Sequence, residues 1–210
     1  IYSYNVNFSV YAQNPNQQLI DTNIELDGGN GSSNRPRMFN FANMGVSNQS
    51  AKNFSEMVAG TSGQPISSVV TDNYDIVSGS WPTAYNEVVM VLNENNSIPV
   101  QSMYQLGFIT KEQFTAAKNQ LANKQDGDDF TLNYEDMLQK TFYLMPSSEN
   151  YVKNENGSYS QIKNPEYDTD GLMNKSIPLK VTGIIRPKED AKNATINTVV
   201  AYTNLLTNYV

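Results

Sequence analysis

A chain of 210 residues fits one large domain or two small lobes and is long enough to bury a core without disulfides or metal. It contains neither histidine nor cysteine, which removes thiol chemistry, cysteine–zinc sites and every nucleophile that relies on an imidazole base, while leaving the redox compartment open. With 14 Lys+Arg against 21 Asp+Glu, a formal charge of −7 and no dense basic run, the composition also argues against nucleic acid as a partner.

From Tyr2 to Val10 every second residue is apolar or aromatic, the two-residue period of a strand with one buried face. Gln13 to Asn53 is rich in Asn, Gly and Ser and predicts loops, with one short strand at Asn23 to Leu26. A short helix is predicted over Ser50 to Val58, capped by Ser50 and stopped by Gly60. Tyr74 to Ile98 reads as strand, tight turn, strand: Gly79 supplies a positive φ, Pro82 fixes the exit from Trp81, and this sole tryptophan is expected to anchor the turn to the core. Within it, Glu87 to Leu92 is compact and apolar enough for a buried strand.

Pro99 to Leu121 carries apolar residues at helical spacing, interrupted near Gly107 and restarted at Thr110, which forms a capping box with Gln113. A turn at KQDGDD and a helix start at Asn133 to Leu138 follow. Thr141 to Met145 and Tyr151 to Ile162 predict strands of a meander with a hairpin turn at Asn156–Gly157, and Leu179 to Ile185 is the last strong strand. The sum is an α+β domain with a mixed or antiparallel sheet and a few helices. No window approaches the ~20 continuous apolar residues of a membrane helix, and no signal peptide opens the chain. The strand-like start at IYSYN and the uncharged end at NLLTNYV are those expected of a domain excised from a longer protein.

Three motifs invite chemistry and fall short of it. DGDD, Asp126 to Asp129, lacks the alternating ligands and distant glutamate of a calcium loop. DGGNGSSN, Asp27 to Asn34, lacks the Gly-Lys-Ser/Thr ending of a phosphate loop. The carboxylates sit in no glycosidase-like signature, although 13 tyrosines would suit an aromatic cleft. We therefore expect no catalysis, no metal and no cofactor.

The stretch YDIVSGSWPTAYNEVVMVLNENNSI resembles the extracellular domain of Gram-positive MacB-like permeases, relatives of the FtsX and lipoprotein-exporter permeases. Gly79, Trp81, Pro82, Asn86, Glu87 and Val88 match the family's Gly-x-Trp-Pro turn and Asn-Glu-Val-Val strand. A second match lies at LKVTGIIRPKEDAKNATINTVVAYTNLL, through Gly183, Arg186, Pro187 and Tyr202, and DMLQKTFYLM resembles the segment between them. The resemblance covers about residues 1–10 and 74–210. It implies a single extracellular domain over residues 1–210: a distal, sabre-like lobe at about 11–178, and membrane-proximal, porter-like elements at 1–10 and 179–210. The family carries a further strand and helix before IYSYN, so the completeness of that lobe stays open.

The resemblance further implies a location on the extracellular face of a Gram-positive cell membrane and a role in efflux or antimicrobial peptide resistance. The implied partners are a second permease copy or paralogue, a separate cytoplasmic ATPase, a MacA-like accessory protein and an exported peptide, drug or lipid-linked cargo. The charged loop IRPKED, Ile185 to Asp190, is read as solvated and locally ion-paired, and as a coupling point if the domain works as a lever. The competing reading is a cell-surface adhesin or carbohydrate-binding module, for which the Asn- and Tyr-rich strands offer hydrogen-bonding and stacking surfaces.

Overall fold

The computed structural model describes residues 9–23, 53–122, 132–161, 169–191 and 194–210, and every structural statement below concerns these. Most of the first predicted strand, all of the predicted strand at Asn23 to Leu26 but its first residue, Ser50, and the DGGNGSSN and DGDD motifs lie outside them.

The alternation that begins at Tyr2 is continued by β1 (Ser9–Gln13), in which Val10 and Ala12 are buried and Ser9, Tyr11 and Gln13 half-buried. β2 (Leu19–Asp21) returns antiparallel beside it, inside the segment expected to be mostly loop. Asn14 closes the turn between them, its side chain accepting from the Gln18 backbone N–H at 2.9 Å. Residues 54–56, predicted helical, form strand β3 (Phe54–Glu56) instead. The backbone on either side is already committed across the sheet: Asn53 O accepts from Val200 N–H and Met57 N–H donates to Tyr202 O, each at 2.8 Å. One cap and one glycine are too weak a local signal to outweigh such pairing.

Next come α1 (Ser68–Thr71), β4 (Tyr74–Gly79), β5 (Glu87–Val91), α2 (Val100–Gln105) and α3 (Lys111–Ala122). The predicted break falls at Gly107, φ +70°. The capping box forms as read: Thr110 N–H donates to Gln113 Oε1 at 2.8 Å, and Gln113 N–H to Thr110 Oγ1 at 3.3 Å. α4 (Tyr134–Leu138) begins on the Asn133 cap, and β6 (Thr141–Met145) follows.

After a 3-10 turn at Ser147–Asn150, β7 (Tyr151–Lys153) and β8 (Tyr159–Gln161) form the expected hairpin, but as a separate two-stranded sheet rather than part of a meander. Tyr151, Val152 and Tyr159 are all exposed, so the hairpin has no buried face with which to join the main sheet. α5 (Thr169–Lys175), β9 (Ile177–Pro187), β10 (Val200–Tyr202) and α6 (Asn204–Tyr209) complete the chain.

Eight strands make one mixed sheet in the order β2-β1-β6-β9-β5-β10-β3, with β4 also on β9. β9 is its spine. One edge pairs antiparallel with β6 over residues 177–180 and with β4 over 183–187, while the other pairs parallel with β5. The two strands flanking the Gly79 turn are thus no hairpin, because β9 lies between them. The fold is α+β.

Helices and loops cover both faces of the sheet, which explains why β5 reads as an unbroken apolar run. Val88 and Met90 enter the larger core with Phe142, Leu179 and residues of α2 and α4, whereas Val89 and Val91 enter a smaller one with Met57, Val70, Tyr74 and Ile196.

Candidate functional site

The residues singled out by motif gather around β9, except Tyr202, which lies on β10 beyond β5. Gly79 and Gly183 are register partners where β4 crosses β9. Gly79 has φ +75°, and a Cβ on it would stand 2.1 Å from Thr182 O; a Cβ on Gly183 would stand 2.3 Å from Ser80 O. Two backbones touch here, tied by the Ser80 N–H bond to Thr182 O at 2.8 Å. The ladders on both edges slip beside this crossing, between Ile76 and Ser78 on β4 and between Val88 and Val89 on β5. Such bulges bend a sheet and re-aim its side chains.

The loop from this crossing to β5 is closed by Glu87. Its Oε2 accepts from Thr83 N–H at 2.7 Å, Ala84 N–H at 3.0 Å and Thr83 Oγ1 at 3.1 Å. These bonds, that from the Thr83 backbone foremost, hold the carboxyl below its ordinary range against an opposing effect of burial. All of its hydrogen-bond partners are loop atoms and the Lys180 charge on β9 adds to the same effect, so Glu87 is a brace. Within the loop, Pro82 is buried and Trp81 is half-buried against the smaller core. Asn86 O accepts from Lys180 N–H at 2.9 Å, and Val88 is fully buried.

At the far end of β9, Arg186 Nη1 donates to Asn96 Oδ1 at 2.9 Å and Lys188 Nζ to Asp72 O at 2.8 Å. The ion pairs expected within IRPKED are replaced by clips to two neighbouring turns. Pro187 lies opposite Tyr74 at the last pair of the β4–β9 ladder. The Tyr74 hydroxyl in turn accepts from Ile196 N–H at 3.0 Å and pins the loop that leads to β10. Tyr202, on β10, is buried, and desolvation pushes its hydroxyl up to about 12, with the Glu56 charge adding to the effect.

Sequence reasoning missed Lys140. Its ammonium donates to Gln13 O and Gly107 O, each at 2.6 Å, and lies 5.0 Å from the centre of the Phe108 ring. Burial lowers it to about 8. Also missed was a buried polar knot in which Asn53 Nδ2 donates to Thr22 O at 2.8 Å and to Gln105 Oε1 at 3.0 Å. A lysine at a helix–strand junction and an asparagine in a polar segment carry no local mark of either role.

Among the described residues no three metal-ligating side chains gather, and no helix is long and apolar enough to cross a membrane. The arrangement joins β4, β5 and β9 and the turns at their ends through backbone pairing and side-chain clips. Comparison with known proteins finds no match: no protein family, no curated protein and no solved structure.

Proposed function

We propose that the chain is the extracellular domain of a MacB-like ABC transporter permease. In this reading it pairs with a second copy or a paralogue, and a separate cytoplasmic ATPase drives the membrane helices. The domain carries that movement outward to expel a peptide, drug or lipid-linked cargo, with or without a MacA-like accessory protein, and itself performs no catalysis. Residues 11–178 are then the distal lobe, residues 1–10 and 179–210 the membrane-proximal one, and the shared sheet is the mechanical link between them.

One observation supports this reading above others: the two segments that resemble the family are the two that interlock, Gly79 of the first against Gly183 of the second. A relay needs a stiff path, and β9, 11 residues long with partners on both edges, supplies one. The clips from Arg186 and Lys188 extend it to the turns beside β4 and β5.

The test is the complete reading frame expressed in membranes. Apolar segments of about 20 residues on both sides of this chain, co-purification with an ATPase, and ATP-dependent export lost on excising residues 24–52 are the expected results. That excision suits the fold because the ends meet, Asn53 Nδ2 donating to Thr22 O. A cell-wall sorting signal or tandem copies in place of flanking apolar segments overturns the reading.

A carbohydrate-binding surface module is the second reading, favoured by the β7–β8 hairpin, where Tyr151 and Tyr159 are 49% and 68% exposed. Glycan binding that Tyr159→Ala abolishes supports it; its absence across a broad glycan panel removes it.

A further inference from the structure

Helix α6 is held by contacts of two unlike kinds. On its inner side Leu206 is buried in the larger core. Beside it, two buried side-chain oxygens at the helix start, Thr203 Oγ1 and Asn204 Oδ1, have no protein hydrogen-bond partner among the described residues, and Thr203 is 1% exposed. A buried polar atom without a protein partner regains less than it gives up on leaving bulk water, so both groups weaken docking. Thr203 also precedes the first turn without supplying the side-chain cap that threonine ordinarily gives.

On the outer side the Tyr209 ring stacks on Tyr85, centres 3.8 Å apart and planes 15° apart. The Thr207 hydroxyl donates to the Glu56 carboxylate and is also hydrogen-bonded to the Tyr202 side chain on β10. Tyr85 and Tyr209 are 36% and 57% exposed, so water has access to these outer contacts.

We propose that α6 is a two-state latch: docked, it is fastened to loop 80–86 and to β3 by the Tyr85–Tyr209 stack and the Thr207–Glu56 bond; released, it hydrates Thr203 and Asn204. Apart from the seat of Leu206, few contacts separate the two states, the condition under which a segment opens without global unfolding. Release vacates the seat of Leu206 in the larger core and frees the flank of the Trp81 loop. The latch stands on these contacts alone and does not depend on the function proposed above.

Amide hydrogen exchange of the 210-residue chain tests it. Leu206 and Val210 N–H groups donate within the latch, to Thr203 O and Leu206 O, whereas Val91 and Leu92 N–H groups donate within the sheet core. The latch amides are expected to exchange about 100-fold faster than the core amides. Tyr209→Ala speeds them further by about tenfold, and Tyr209→Phe, which keeps the stack, has a smaller effect. Thr203→Val removes the unpartnered hydroxyl at nearly constant shape and slows them about tenfold. Val91 and Leu92 stay unchanged in every variant, which also shows that each has folded. Latch amides as slow as those of Val91, or faster latch exchange in Thr203→Val, overturn the proposal.

Discussion

Gly79 and Gly183 occupy positions where any side chain meets backbone, and backbone yields less than a flexible side-chain end. Gly79→Ala adds the cost of a positive φ to a 2.1 Å collision with Thr182 O. We expect a loss of about 3 kcal/mol, read as a fall in Tm of roughly 10 °C. Gly183→Ala, without the φ cost but with a 2.3 Å approach to Ser80 O, is expected to lose nearly as much. A thermal melt of either variant within 2–3 °C of the parent would show that β4 can draw away from β9.

Lys140 gives the molecule a signature in pH. Its folded value of about 8 lies below its ordinary 10.5, so between these limits the unfolded chain holds more protons than the folded one. Stability therefore rises with pH across that window. Tyr202 and Tyr74 act in the opposite sense: burial raises both above 10, so the folded chain keeps their protons longer and stability falls as pH climbs beyond 10. Urea denaturation at successive pH values is expected to show the midpoint climbing from pH 8 towards 10, and Lys140→Met is expected to flatten that climb. An equally steep climb in the variant would assign it to another group.

At the scale of elements, α3 rests on its capping box. Thr110→Ala removes one of the two reciprocal bonds and is expected to cost about 1 kcal/mol. A denaturant midpoint unchanged within error would mean that this helix start is held by packing alone. The capping box, the break at Gly107, the helix start at Asn133 and the buried strand at β5 were all legible in the sequence, because each signal lies within a few residues of its effect. β3 was not: Phe54–Glu56 has no strand pattern of its own and is extended because β10, far along the chain, pairs with it in parallel. The hairpin turn at Asn156–Gly157 was legible, but its separation from the main sheet was not, since that depends on every residue of β7 being exposed. The same limit applies to the site. Gly79 and Gly183 were each recognisable by motif, yet nothing local shows that they face one another, and the roles of Lys140 and Asn53 depend on partners distant in sequence.

For the molecule as a whole, the spine of the sheet is one of the last strands in the chain. β6, β4 and β5 precede β9 and all pair with it, and β10 later enters between β5 and β3. A fragment of residues 1–176 lacks both, and we expect it to be digested by protease under conditions in which the full chain resists; comparable resistance of the two would mean that the earlier elements fold without the spine.

This placement has a consequence for timing. During synthesis β1, β4, β5 and β6 emerge before the strands that seal them, with their apolar sides uncovered and their ladder groups unpaired for as long as the ribosome takes to reach Tyr202. Assembly is then a late event dominated by contacts between sequence-distant segments, which are slow to form. The waiting chain is at its most aggregation-prone in that interval, so its yield in a cell should depend on how fast the segment from Ile177 to Tyr202 is translated and on what shelters the nascent strands until then.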